Sequence, residues 1–508
     1  MVNKMTKSIP GSEEERARFK EIQSELKHQF EVAFPDYGAP KTVVIIPSLT
    51  LDQEILAKVK GHFYYEERML CHLMLLRMPR THVVFVTSVP IDPVIVDYYL
   101  HLLPGITGLH ARARLTLLSC YDSSAKSLTE KILERPLLIN RIKESIPVGH
   151  AAHISSFIVT GHERTLAVQL GIPVFGCDPD LYYWGTKSKA RELFRMCGLN
   201  MPDGFENLYS TEEVIDSLVK LKERNPALRK AVIKMNDGFS GEGNAIFSFK
   251  DAPETGLRDW VEAHLAENSA VVAAGMYFNQ FMEKFVQMGG IVEAFVDGDI
   301  KTSPSVQCRI NPVGVPDVSS THDQLLGGES GQVFLGASFP ANDEYNLEIG
   351  AIGKRVADFL HDKGVLGRFS VDFLSVKEND KWTHYAIEIN LRKGGTTHPY
   401  LMLQFLTDGN YNPDTGAYLT AGGQTRYYFA TDNLYGESNH GLAPMDLVDL
   451  AICNGLHYNA SSQEGVTFHL IGALSQFGKL GVVCIGKDRE TCEKLYQRVV
   501  KVLAEVGT

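Results

Sequence analysis

The sequence predicts a multidomain protein of mixed α/β and α+β class, and three observations lead there. The chain has 508 residues, more than a single hydrophobic core serves, so two to four domains are expected. Short β-branched apolar runs, TVVIIPSL (42–49), THVVFVTS (81–88), RLTLLSC (114–120) and HISSFIVT (153–160), are separated by long, partly helical stretches. That is the pattern of a parallel sheet with crossover helices. The C-terminal part instead closes on EGVTFHLIGAL, KLGVVCIG and DRETCEKLYQRVVKVLAEV, which reads as strand, turn, strand and helix.

Taken in order, residues 1–40 carry an N-terminal helix. Ser12 followed by Glu13, Glu14 and Glu15 is a cap with acids in the first turn, and Phe19, Ile22, Leu26 and Phe30 recur at helical spacing. Residues 41–180 form the doubly wound α/β domain, 181–410 hold the chemistry-bearing motifs, and 411–508 form a small α+β domain. Hydrophobic residues make up 44% and charged residues 22%, ordinary for globular protein. A net charge of −11 without a long Lys/Arg block argues against nucleic acid as a partner. Eight cysteines form no CxxC pair and read as scattered thiols of a reducing compartment. The N-terminus has no signal-peptide core, and the greasiest run, 69–78, is broken by His72 and Arg77. It is too short to span a bilayer, so a cytoplasmic protein is expected. Seventeen histidines show no HExxH or paired spacing, and most are expected at the surface or satisfied in the core.

Chemistry concentrates in GRFSVDFLSV…THYAIEINLRKGGTTHP (367–399). Two strands are predicted, one with Asp372 and the other with Glu388 and Asn390. Residues i and i+2 of a strand share a face, so Glu388 and Asn390 point one way while Ile387 and Ile389 point the other. Arg392 continues the polar face toward a turn at Gly394 and Gly395. Two carboxylates and an amide oxygen on adjacent strands suit Mg²⁺, and an arginine beside them can stabilise a transferring phosphoryl group. Upstream, KAVIKMNDGFSGEGNAIFSF (230–249) places Lys234 near a strand end, before a loop with Gly238, Gly241 and Gly243. Strand, glycine loop and strand resemble a phosphate lid, or a plain glycine-rich hairpin, rather than a Walker A loop, which needs a helix after it. In AGMYFNQFMEKFVQMGGIVEAFVDGDI (274–300), an apolar strand leads to a short connecting segment with Glu283, Lys284 and Val286, and a second strand carries Glu293. Such a segment can offer backbone groups to an adenine edge. Finally, Lys187 heads an amphipathic helix running to Gly198, an unusual place for a lysine by dipole logic.

The order of these pieces over about 171–400 resembles the ATP-grasp superfamily: lysine-led helix, strand lysine, glycine loop, E-K-x-hydrophobic hinge and E-I-N-x-R strand. The resemblance implies a two-lobed ATP-grasp domain at 181–410. It further implies that Lys187 and Lys234 hold the ATP phosphates and that the 238–243 loop closes over them. The backbone at Lys284 and Val286 would pair with adenine, with Glu283 alongside and Glu293 in the nucleotide site. Asp372, Glu388 and Asn390 would ligate two Mg²⁺ ions, or Mn²⁺ in their place, and Arg392 would contact the transferring group with Lys234. Three positions depart from the usual pattern: Thr186 stands where many members have Asp, Arg368 rather than Ser370 supplies the arginine before Asp372, and Leu391 replaces a frequent proline. The tail 431–486 and the α/β region are similar to peptide ligases of the pheganomycin type. That resemblance implies a carboxylate–amine ligase working through an acyl phosphate, releasing ADP and phosphate, with a carboxylic acid and an amine, an amino acid or peptide, as substrates. A kinase using the same ATP site, or a nucleotide-binding subunit without turnover, are the alternatives. No membrane partner is expected, and a homodimer is a common outcome for such enzymes.

Overall fold

The structure is a computed structural model, and it describes residues 9–505 apart from 51–55, 57–58, 239–242, 274 and 328–332. The first helix, Glu13–Val32, starts where the sequence places it: the Ser12 Oγ accepts the Glu15 N–H at 3.2 Å. Phe19, Ile22 and Leu26 are its buried stripe.

Four parallel strands follow, β1 (Lys41–Ile46), β2 (Thr81–Thr87), β3 (Leu115–Ser119) and β4 (Ala151–Ser156), in the order β3-β2-β1-β4. Their alternation explains why these runs are apolar throughout. Val44, Ile46, Val84 and Val86 join a core with Phe19, Ile22, Leu166 and Ala167 of the flanking helices. Val43, Ile45, Val83 and Phe85 face the opposite way, against Met69, Leu70 and Leu73. Both faces are therefore covered, as a doubly wound sheet requires. The greasy 69–78 run ends the 3₁₀-helical segment His62–Arg77, and Met69, Leu70, Cys71, Leu73, Met74 and Leu76 are core. No helix among the described residues is long and apolar enough to cross a membrane.

The next unit is an antiparallel sheet of five strands: β5 (Gly204–Leu208), β6 (Lys230–Met235), β7 (Asn244–Ser248), β8 (Ser269–Val271) and β9 (Gly290–Ala294), ordered β5-β9-β6-β7-β8. Its core joins Ile233, Phe247 and Val292 to Val214, Leu218 and Val261 of two helices. From β9 the chain crosses to a larger antiparallel sheet. There lie β10 (Ile300–Ile310), β11 (Pro316–Gly327), β12 (Val333–Phe339), β13 (Gly367–Glu378) and β14 (Lys381–Asn390). A small hairpin of β15 (Asn410–Asn412) and β16 (Ala417–Leu419) precedes β17 (Tyr427–Tyr435), β18 (Gly465–His469) and β19 (Lys479–Gly486). The large sheet runs β14-β13-β10-β11-β12-β17-β19-β18. The boundary expected at 410 thus parts no sheets, because β17 pairs with β12 through Gly336↔Thr431 and its neighbours. Strand partners are chosen by side chains far apart in sequence, which local pattern does not record.

The His62–Arg77 segment joins these parts. Glu66 is buried, its carboxylate accepting the Ser88 N–H at 2.7 Å and the Ser88 hydroxyl at 2.6 Å. Glu67 accepts the Gly472 N–H at 3.1 Å, linking the α/β domain to the C-terminal part. Burial pushes the Glu66 carboxyl up to about 7. Burial, with the charge of neighbouring Glu66, pushes Glu67 up to about 8. An acid whose folded value is raised keeps a proton the unfolded chain has already lost, so stability is highest at low pH and falls as pH rises toward the folded value. Glu67→Gln keeps an acceptor for Gly472 and removes one such titration. Denaturant melts between about pH 5 and about pH 8 should show a shallower fall in stability for this variant than for the parent; parallel curves would refute the assignment.

Candidate nucleotide and metal site

The metal face forms where β13 and β14 pair, with Asp372 opposite Glu388 and Ser370 opposite Asn390. Asp372 is the hub. Its Oδ1 accepts the Ser305 hydroxyl at 2.7 Å and its Oδ2 accepts the Asn390 amide at 2.9 Å. Arg392 donates to the Asn390 Oδ1 at 3.0 Å, which turns that amide oxygen toward the arginine. The Lys187 Nζ reaches the Glu388 Oε1 at 3.0 Å from the start of the helix Lys187–Met196. Asp372, Glu388, Asn390, Arg392 and Lys187 are therefore brought together.

The electrostatics follow from that crowding. Burial and the Glu388 charge push the Asp372 carboxyl up to about 6, against Ser305 and Arg392. For Glu388 burial acts upward, but Lys187, Arg392 and Lys234 outweigh it and hold the carboxyl below its ordinary value. One carboxylate is thus firmly ionised and the other is strained by its neighbour, an environment that a divalent cation would relieve. The oxygen donors fit Mg²⁺: Asp372, Glu388 and Asn390 offer hard ligands on adjacent strands.

Lys234 lies at the end of β6 and pairs with Glu293 of β9. Arg191 reaches the other Glu293 oxygen at 3.2 Å and also bonds the Pro202 carbonyl at 3.0 Å. Glu293 is thereby held between two cations. Asn236, one residue past β6, fastens the lysines together. Its carbonyl accepts the Lys187 N–H at 3.2 Å, its side-chain oxygen accepts the Ser188 N–H at 3.0 Å, and its amide donates to the Met288 carbonyl at 3.1 Å. Gly238 and Gly243 face each other across the loop: a Cβ on Gly238 would stand 3.3 Å from the Gly243 Cα. Gly241 lies outside the described residues.

One expectation is corrected. Glu283, Lys284 and Val286 are not in an open connecting segment; they lie inside the helix Phe278–Met288. Their backbone groups sit where the helix uses them, so they are not free for an adenine edge. Phe278, Phe281, Met282 and Phe285 recur at i, i+3, i+4 and i+7, and Phe281, Met282 and Phe285 are buried. That helical period was present in the sequence. The true crossing between the two sheets is residues 295–299, between β9 and β10.

Several site residues escaped the sequence reading. Ser305 and Asn236 act only through contacts made in three dimensions. Asp237 shares the site: burial raises its carboxyl, Lys187 lowers it and Glu388 raises it. Arg368, which the sequence already marked as the arginine before Asp372, lies two and four residues before Ser370 and Asp372 on β13. Burial and Arg309 draw it down to about 10. Lys393, directly after Arg392, bonds the Ser156 carbonyl and the Ser155 hydroxyl at the end of β4. Burial, then the Arg368 charge, draws it down to about 7. The run Arg392-Lys393-Gly394-Gly395 was a signal for this second cation.

Known proteins bear on this geometry. A family model described as "IQCH-like, ATP-grasp" matches residues 180–270 and 256–414, and one described as "PGM1 C-terminal domain" matches 446–499. Residues 180–414 thus carry an ATP-grasp domain. The chain is 29% identical over 471 residues to the L-propargylglycine–L-glutamate ligase of Streptantibioticus cattleyicolor, covering 91% of this chain and 94% of that protein. It is 23% identical over 424 residues to the IQ motif-containing protein H of Danio rerio, matching 74% of this chain but only 40% of that protein's length. Among solved structures, the chain is similar to a biotin carboxylase from Campylobacter jejuni at TM-score 0.53 and 13% identity, covering 91% of this chain and 90% of that one. It is also similar to an N5-carboxyaminoimidazole ribonucleotide synthetase at TM-score 0.51 and 11% identity, covering 92% and 98%. At such identities the likeness is one of fold.

The helix at 278–288 makes a direct prediction. Val286→Pro should destabilise the five-stranded lobe by about 3 kcal/mol or more, because proline removes a helical hydrogen bond and clashes with the preceding turn. Lys284→Ala should leave both melting temperature and ATP affinity nearly unchanged. Weakened ATP binding by Val286→Pro with an unaltered melting curve would show that this backbone reads the nucleotide after all.

Proposed function

We propose that this chain is an ATP-dependent carboxylate–amine ligase that joins amino acids through an acyl phosphate. The observation carrying this reading is the opposed pair Asp372 and Glu388, contacted by Lys187 and by the Asn390–Arg392 bond. The relative that matches along nearly its whole length is named as a ligase of two amino acids, and this supports the choice of substrate class.

In this reading Lys187 and Lys234 hold the phosphates, beside Gly238 and Gly243. The adenine edge lies along the crossing at 295–299 rather than at 284–286. Asp372, Glu388 and Asn390 would hold Mg²⁺, which would supply charge neutralisation to the phosphates. A substrate carboxylate oxygen attacks the γ-phosphorus and ADP leaves. The amine nitrogen of the second substrate then attacks the acyl carbon, and inorganic phosphate departs with the bonding pair. Arg392 stabilises the phosphoryl group in both steps. Arg368 and Lys393 place positive charge beside β13 and β14, suited to orienting the substrate carboxylate. No protein nucleophile is needed.

ADP release screened over pairs of amino acids, with mass spectrometry of the products, tests the reading. A product one water lighter than the two substrates together is expected; a stable phosphorylated compound formed without an amine would instead make the protein a kinase. Within a confirmed pair, Glu388→Gln should lower turnover at saturating ATP by about a hundredfold or more, with little change in melting temperature. Turnover like that of the parent would remove Glu388 from the metal site.

A further inference from the structure

Behind the loop that follows Arg392, three donor atoms from three separate elements meet in the core. His398 lies in the first turn of the helix Thr397–Thr407, Asp432 is on β17 and His469 ends β18. All three residues are buried. The His398 Nε2 lies 2.9 Å from the His469 Nε2, and both face the Asp432 Oδ1, at 3.4 Å and 2.6 Å. Room for this is made by Gly481 on β19, which pairs with His469: a Cβ there would come 2.1 Å from the His469 Nε2. The other Asp432 oxygen is held by Arg68 at 3.2 Å, and Arg68 is itself seated between the rings of Tyr65 and Phe157.

Hydrogen bonds alone satisfy this cluster poorly. A neutral imidazole carries one proton on one of two nitrogens. If both Nε2 atoms are protonated toward Asp432, two protons crowd between nitrogens 2.9 Å apart. If His398 instead accepts through Nε2, its proton sits on Nδ1, a buried atom with no hydrogen-bond partner. A cation bound to both Nε2 atoms and to Asp432 removes the crowding between the two nitrogens and leaves the His398 proton on Nδ1, as in the second arrangement.

We propose that His398, His469 and Asp432 form a binding site for a divalent transition metal of the Zn²⁺ class, separate from the Mg²⁺ face on β13 and β14. Two imidazoles and one carboxylate are the donors such ions choose, whereas Mg²⁺ prefers an all-oxygen shell. Tetrahedral donors at about 2.0–2.1 Å from Zn²⁺ stand about 3.3 Å apart. The 3.4 Å pair already does, and the two closer pairs need to open by less than about 1 Å. Arg68 serves as the outer partner that aims one carboxylate oxygen at the metal. Three protein donors leave a position for water or a small anion, which would offset the positive charge of metal and Arg68. The site ties β17 and β18 to the helix that begins just beyond Gly394 and Gly395, and so braces the loop carrying Arg392. It does not depend on the ligase reading.

The test is metal analysis of full-length protein made without a polyhistidine tag and dialysed without chelator, then titrated with Zn²⁺ against a competing chelator. About one tightly held Zn²⁺ per chain is expected, with affinity lowered at least about 100-fold in His469→Gln and unaffected in Asp372→Asn. Should His469→Gln not fold, Co²⁺ loaded into the parent protein reads the same ligands: an intense visible spectrum of a low-coordinate, imidazole-bound ion is expected. Absence of tight Zn²⁺ binding in the parent, equal binding in His469→Gln, or a Co²⁺ spectrum like that of the aqueous ion would each overturn the site.

Discussion

Two carboxylates set opposite each other on paired strands repel, and Lys187 and Arg392 answer that repulsion. Asp372 and Glu388 are register partners, so their separation is dictated by the sheet and cannot relax. The Lys187 ammonium against Glu388 and the Arg392 guanidinium on Asn390 make the arrangement tolerable without a metal. Burial and Glu388 still raise Asp372 to about 6. Lys187 can perform this only because Asn236 pins the start of its helix to the end of β6. The site is thus a joint between two sheets rather than a feature of either one.

That joint is braced from behind. One continuous core runs from Val43 and Phe85 of the parallel sheet, through the His62–Arg77 segment, to Val371, Ile389 and Val482 of the large sheet. The five-stranded lobe has its own core, with Val214, Phe247 and Phe285, and reaches the large sheet through the crossing at 295–299. Such a division, one lobe packed separately and the rest sharing a core, is suited to closure over a nucleotide. The buried Glu66, Glu67, Arg68 and Lys393 at the same joint are each met by a hydrogen-bond or ion-pair partner, the condition on which charge is tolerated inside a protein.

Much of the fold was legible. The parallel strands announced themselves because both faces are buried, giving unbroken apolar runs such as Thr42–Ile46 of TVVII without alternation. Glu388 and Asn390 were legible because a strand's period of two is a local property. The helix at 278–288 carried a readable period in Phe278, Phe281, Met282 and Phe285, but the glycines after it and the apolar residues before it favoured a hairpin reading. Ser305 was invisible: it reaches Asp372 across 67 residues of sequence, and nothing local marks a serine on one strand as the partner of an aspartate on another.

By itself the sequence determined most element types, the parallel region, and the shared strand face of Glu388 and Asn390. These depend on composition and on periods that neighbouring residues establish together. Tertiary structure alone decided that β17, β18 and β19 extend the large sheet, that the lobes join at 295–299, and that Arg368 and Lys393 gather near the metal face. It alone brought His398, Asp432 and His469 within reach of one another. Sheet order and side-chain convergence are set by contacts between distant segments, where many pairings satisfy the same local pattern and only packing of the whole core selects one.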